Sequence, residues 1–174
     1  MSFIEYPTMV TLHSDNAEST NRLGFKEVTD SISTTAAIYR NNVYLQKLTL
    51  TGIGYISSEY RGFSAGSGCT SLKELNIVND EYLSSLENIP MLSTFNAPNV
   101  KHITKRSLSN AASYDNLPNL DKFELENLET AFIYNFKNMR KLSIINFPKL
   151  HTLNIFFYAD VNNQKAYVFS NLPN

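Results

Sequence analysis

One apolar phrase recurs along this chain and limits what it can fold into. L-x-x-L-x-L, with other apolar residues admitted, occurs at Leu45/Leu48/Leu50, Leu72/Leu75/Ile77 and Leu92/Phe95/Ala97. It continues at Leu120/Phe123/Leu125, Met139/Leu142/Ile144 and Leu150/Leu153/Ile155. The last two apolar positions of each phrase alternate, so they share one side of a short strand. The first packs beneath the start of that strand. One such strand cannot bury its inner side alone, whereas stacked parallel copies can. The expected fold is a β-rich (α/β) solenoid with a parallel sheet on one face. Phrase starts lie 27, 20, 28, 19 and 11 residues apart. A parallel crossover needs about a dozen residues, so the last two copies cannot both be adjacent parallel strands. Either 140–145 and 151–156 form an antiparallel hairpin over Asn146–Pro148, or Phe147-x-x-Leu150 is a return strand on the opposite side of the coil. Leu83-x-x-Leu86 and Val100-x-x-Ile103 have the same form, which favours the return strand.

A second signal, Asn-apolar-Pro-x-Leu, stands at Asn88-Ile89-Pro90, Asn116-Leu117-Pro118 and Asn146-Phe147-Pro148. Pro fixes φ and removes a donor, and Asn satisfies turn backbone with its side chain, so each reads as a tight corner before a strand. Asn171-Leu172-Pro173-Asn174 reads as the start of another copy, which implies continuation past Asn174. Ile53-Gly54-Tyr55-Ile56, Gly62-Phe63 and Cys69-x-x-Leu72-x-x-Leu75-x-Ile77 follow one another, with echoes in Val100-Lys101-His102-Ile103 and Ala131-Phe132. Residues 28–38 hold a degenerate copy with Ala37-Ile38. Together these phrases resemble the leucine-rich-repeat superfamily, and within it the irregular BspA-type class of bacterial and protist surface proteins. The resemblance covers residues 28–174. It implies a short irregular leucine-rich-repeat stack, used for interaction and attachment at a cell surface or on a virion. It also places the segments 57–68 and 104–116, long enough for a helical turn or irregular coil, on the convex side.

Residues 1–27 lack the phrase and are expected to be an N-terminal cap or extension, with an arm or docking segment as the other readings. Ile4, Tyr6, Met9, Val10 and Leu12 alternate like an edge strand, and His13–Asn21 is polar like a loop. The opening MSFIEYPTMVTLHSD has Glu5 and no basic segment, so no secretory signal is expected. No apolar run approaches the ~18 residues of a membrane span. The net charge of −1 offers no general attraction to nucleic acid. The single cysteine, Cys69, excludes an intrachain disulfide.

No catalytic set, cofactor or metal site is expected. Gly62-x-Ser64-x-Gly66 matches a nucleophile elbow, but the elbow needs a buried strand before it and a helix after it. Ser57–Arg61 is polar and Gly66-Ser67-Gly68 is a poor helix start. A phosphate loop would need Lys directly after the last glycine. His13, His102 and His151 lack ligand spacing. Glu124 and Glu126 share a strand side with Lys122, a solvated charge pattern rather than opposed glycosidase acids. Cys69 occupies a core place with no basic neighbour, so it reads as inert.

Residues between the apolar positions form three outward lanes. The first is Lys47, Glu74, Thr94, Lys122, Lys141 and Thr152; the middle is Thr49, Asn76, Asn96, Glu124, Ser143 and Asn154; the third is Thr51, Val78, Pro98, Glu126, Ile145 and Phe156. The middle lane is polar throughout, and the third turns apolar at the hydrophobic run Ile155–Tyr158. The expected function is non-enzymatic recognition or adhesion, binding a protein or glycan on the exposed sheet. The ligand-facing residues are Lys47, Thr49, Glu74, Asn76, Asn96, Lys122, Glu124, Ser143, Asn154 and Phe156. The alternative is a structural or assembly subunit, such as a virion or cell-surface decoration protein, that self-associates through its C-terminal end.

Overall fold

The structure is a computed structural model that describes residues 9–12, 25–30, 42–51, 69–83, 85–103, 112–155 and 169–170. The described residues contain strands and no helix. In chain order these are β1 (Met9–Leu12), β2 (Glu27–Asp30), β3 (Lys47–Leu50), β4 (Glu74–Ile77), β5 (Tyr82–Leu83), β6 (Leu86–Glu87) and β7 (Thr94–Asn96). Then come β8 (His102–Ile103), β9 (Ala112–Asp115), β10 (Lys122–Glu124), β11 (Thr130–Lys137), β12 (Ile144–Asn146), β13 (Thr152–Ile155) and β14 (Phe169–Ser170).

Every strand pairing among the described residues is parallel. The first sheet runs β1-β2-β3-β4-β7, and β10-β12 form a separate pair. In the third sheet the long β11 serves two sets of partners. Its first half pairs with β8 and β13, its second half with β9 and β14, and the register shifts between Ile133 and Asn135. None of these strand orders closes into a barrel. Corresponding contacts recur at 20, 28 and 22 residues, as in Lys101–Glu81, His102–Thr130 and Lys149–Asn127.

Alternation decides which side each strand buries. In Lys47-Leu48-Thr49-Leu50 and Glu74-Leu75-Asn76-Ile77 the leucines and isoleucine are buried and the polar residues half-buried. Full burial of each such side chain is worth roughly 1.5–3 kcal/mol. Farther along, Tyr114, Phe123 and Phe136 fill the core, with Phe95 and Phe147 packed against it. Among the described residues no backbone ladder joins β7 to β10. The junction is instead made by side chains: Phe95 stacks on Phe123 with centroids 5.4 Å apart.

Two kinds of corner turn the chain. At the first, the amide N–H of Leu92, Leu120 and Leu142 donates to the carbonyl of Ile89, Leu117 and Met139. Asn88, Asn116 and Asn138 precede these turns, each at φ 56°. Left-handed backbone costs most residues about 1–2 kcal/mol, and Asn offsets it through local hydrogen bonds. Here the amides also bond between layers: Asn116 Nδ2 donates to Asn88 Oδ1 at 3.1 Å, and Asn138 Nδ2 to Asp115 Oδ1 at 2.7 Å. At the second corner, Val100, Leu128 and Leu150 donate to Ala97, Leu125 and Phe147. Pro90, Pro98, Pro118 and Pro148 all stand at the second place of a four-residue turn, where φ near −65° is required.

The corners separate two phrases that are spelled alike. Asn88 and Asn116 open the first corner, whereas Asn146 ends strand β12 and opens the second. Leu150/Leu153/Ile155 therefore corresponds to Val100/Ile103 and Leu128/Ala131/Ile133, not to Leu120/Phe123/Leu125. No hairpin forms over Asn146–Pro148: β12 pairs with β10 and β13 pairs with β11. The 11-residue interval is the step from one sheet to the next. The returning strand is Thr152–Ile155, and Phe147–Leu150 is the turn before it. Residues 112–115, read from sequence as part of an irregular segment, are strand β9. β1 pairs in register with β2, so part of 1–27 continues the first sheet.

Candidate functional site

The first and middle outward lanes hold for the first sheet, whereas Pro98 of the third lies in a corner turn. Lys47 stands opposite Glu74 and Glu74 opposite Thr94; Thr49 stands opposite Asn76 and Asn76 opposite Asn96. Lys47 Nζ reaches Glu74 Oε1 at 3.0 Å. Asn76 Nδ2 donates to that same oxygen at 2.8 Å and approaches Thr49 Oγ1 at 3.3 Å. The Asn76 amide, with Lys47 after it, holds the Glu74 carboxyl below its usual range. Glu74 in turn raises the Lys47 ammonium. The patch is thus neutralised internally and presents hydroxyls and amides.

Beyond Glu124 the expected lanes fail. Lys122 pairs with Ile144 rather than aligning with Lys141, and Glu124 pairs with Asn146 rather than Ser143. Ser143 sits before β12, and its N–H and hydroxyl both donate to Asp121 O. Asn154 and Thr152 lie on β13 in another sheet, opposite Phe132 and Thr130. The cause is the phrase at Met139: its Leu142 is a corner residue, so the strand begins three residues later than the spelling implies. Ile145 takes the inward register opposite Phe123. Phe156, the Gly62–Gly66 segment and His13 lie outside the described residues.

The structure adds a site at the second corner, which sequence reasoning missed. Asn79, Glu81, Asn99, Lys101 and Asn127 line an open cavity of about 510 Å³. Asn79, at φ 71°, donates to Thr51 O at 3.4 Å, and Asn127 to Pro98 O at 2.7 Å. Lys149 Nζ caps Asn127 Oδ1 at 2.7 Å, while the Asn99 side chain is exposed. Lys101 Nζ bonds Glu81 Oε1 at 2.6 Å. That bond lowers the Glu81 carboxyl and raises the Lys101 ammonium. The pair therefore weakens as pH falls through the depressed Glu81 value, and again as pH rises through the raised Lys101 value. It is exposed, so its worth lies in orienting the groove more than in stability. Beside it Tyr82 lies 4.9 Å from the His102 ring, and His102 Nδ1 shares a hydrogen bond with Thr130 Oγ1 at 2.9 Å. The sequence carries only a local trace of this groove: Asn99-Val100 and Asn127-Leu128 put Asn just before the second-corner phrase, while the stacking that joins them is tertiary.

The described residues bring no three His, Cys, Asp or Glu together as metal ligands. None of their helices is long and apolar enough to cross a membrane, there being no helix. Glu124 is exposed at the end of β10, and Glu126 lies in the turn that follows. Cys69 is buried, which pushes its thiol up to about 11. Ellman's reagent at neutral pH is therefore expected to react with it only after denaturant is added; prompt reaction of the native protein would contradict this burial.

No protein-family model, no curated protein and no solved structure matches the chain.

Proposed function

We propose that the chain is a β-solenoid of irregular leucine-rich repeats acting as a non-enzymatic recognition or adhesion module for a protein or glycan. The groove carries the reading. Its amides stand on corners held by recurring backbone bonds, and its one ion pair is internally neutral. Such a surface suits hydroxyls and amides of a neutral extended ligand better than a phosphate or a cation. The neighbouring lane of Thr49, Asn76 and Asn96 repeats that chemistry on the sheet. The solenoid reading is supported by strands that return to all three sheets in step, and by Asn side chains that bond from one layer to the next. Paired backbone makes both surfaces rigid, which lowers the entropic cost of binding.

Glycan and peptide arrays probed with the whole chain test this. The expected result is a neutral ligand whose affinity falls at least about tenfold, ~1.4 kcal/mol, in Asn99→Ala/Lys101→Ala. A smaller loss is expected in Asn76→Ala/Asn96→Ala. Binding unchanged in both double variants would sink the assignment.

A further inference from the structure

The last layer of strands leaves its inward side chains in solvent. Ile145 pairs with Phe123, and Leu153 with Ala131. Phe123 and Ala131 are fully buried, yet Ile145 is 45% and Leu153 48% exposed, with Ile144 at 38%. Among the described residues no strand pairs with the outer edge of β12 or of β13. At the other extreme, the outer edge of β1 also has no partner among them. Because all pairings are parallel, these two edges are complementary rather than alike. A strand added to β12 in the prevailing direction runs as β1 runs.

The charges are complementary too. Residues 138–155 contain Arg140, Lys141 and Lys149 and no acid. All three cations are exposed. The described residues of the β1–β2 end, 9–12 and 25–30, contain Glu27 and Asp30 against Lys26.

We propose that the β12–β13 end docks onto the β1 end of a second copy of this chain, head to tail. Continuing the register sets Met9 beside Ile144 and Thr11 beside Asn146. The added strand supplies backbone partners to an open edge and covers the apolar side chains, with the cations at the rim facing an end of net negative charge. The contact joins two different surfaces, so each docked copy still offers a free end. Growth then gives a filament, or a ring where the rotation closes.

Light scattering of the whole chain over a concentration series tests this. The expected mass rises above the monomer with concentration and falls again at about 0.5 M salt. Ile145→Asp/Leu153→Asp is expected to stay monomeric, with its thermal midpoint within about 2 °C of the parent because both positions are half-exposed. A second arm reads polarity. Thr11→Cys and Asn146→Cys, mixed and oxidised, are expected to give a disulfide-linked dimer, while neither gives one alone. A mass that stays monomeric up to about 1 mM, association untouched by the double substitution, or an Asn146→Cys chain that links to itself would each overturn the proposal. Ligand binding in the groove is unaffected by these substitutions, so the two readings fail separately.

Discussion

Phe123→Ala is expected to lose about 3–5 kcal/mol of stability, the usual cost of emptying a buried aromatic site. For a chain of this size that lowers the thermal midpoint by about 10 °C. The side chain is fully buried at the centre of a cluster. Its ring centroid lies 4.9 Å from Tyr114, 5.3 Å from Phe136, 5.4 Å from Phe95 and 5.8 Å from Phe147. These partners come from β7, β9, β11 and the turn after β12, so one ring ties all three sheets together. The loss is concentrated here because β7 and β10 share no backbone ladder among the described residues. Phe147→Ala, at a half-buried site, should cost less. Urea unfolding followed by circular dichroism measures both. A loss under about 1 kcal/mol for Phe123→Ala would mean the cluster is not packed this way.

Tyr114→Phe is expected to stabilise the fold by about 1–3 kcal/mol, the opposite sign for a nearly isosteric change. Tyr114 is fully buried, and its hydroxyl has no hydrogen-bond partner among the described residues. A buried donor left unmatched costs about that much, and Phe keeps the ring contacts while removing it. Burial also holds the phenol protonated, well above its ordinary range. The sign of the pH effect follows. Above about pH 10 the unfolded chain loses this proton while the folded chain keeps it. Stability is therefore full below that pH and declines as pH rises, by about 1.4 kcal/mol per pH unit from this group. Tyr114→Phe lacks this share, so its advantage should grow in alkaline urea titrations. A destabilised variant, or an unchanged alkaline slope, would show that the hydroxyl is satisfied in solution.

The periodic leucines were legible because burial leaves a direct mark on the letters. Leu48, Leu75, Phe123 and Leu142 are all core, as the phrase implied, although Leu142 serves a corner and not a strand. The outward lane from Thr49 to Asn96 was legible for the same reason, since alternation within a strand settles which side a residue takes. The groove was not, because Asn79, Asn99 and Asn127 meet only when successive corners stack.

By itself the sequence determined that short strands would bury one side, that Asn and Pro would turn the chain between them, and that Cys69 would be core. These are properties of neighbours within a few positions. Only the tertiary structure decided which sheet each phrase joins. A leucine phrase before a strand of the first sheet and one before a strand of the third satisfy the same local rules of burial and turn geometry. They differ only in which strand lies alongside, and that partner is about 20–28 residues distant, too far for local pattern to specify.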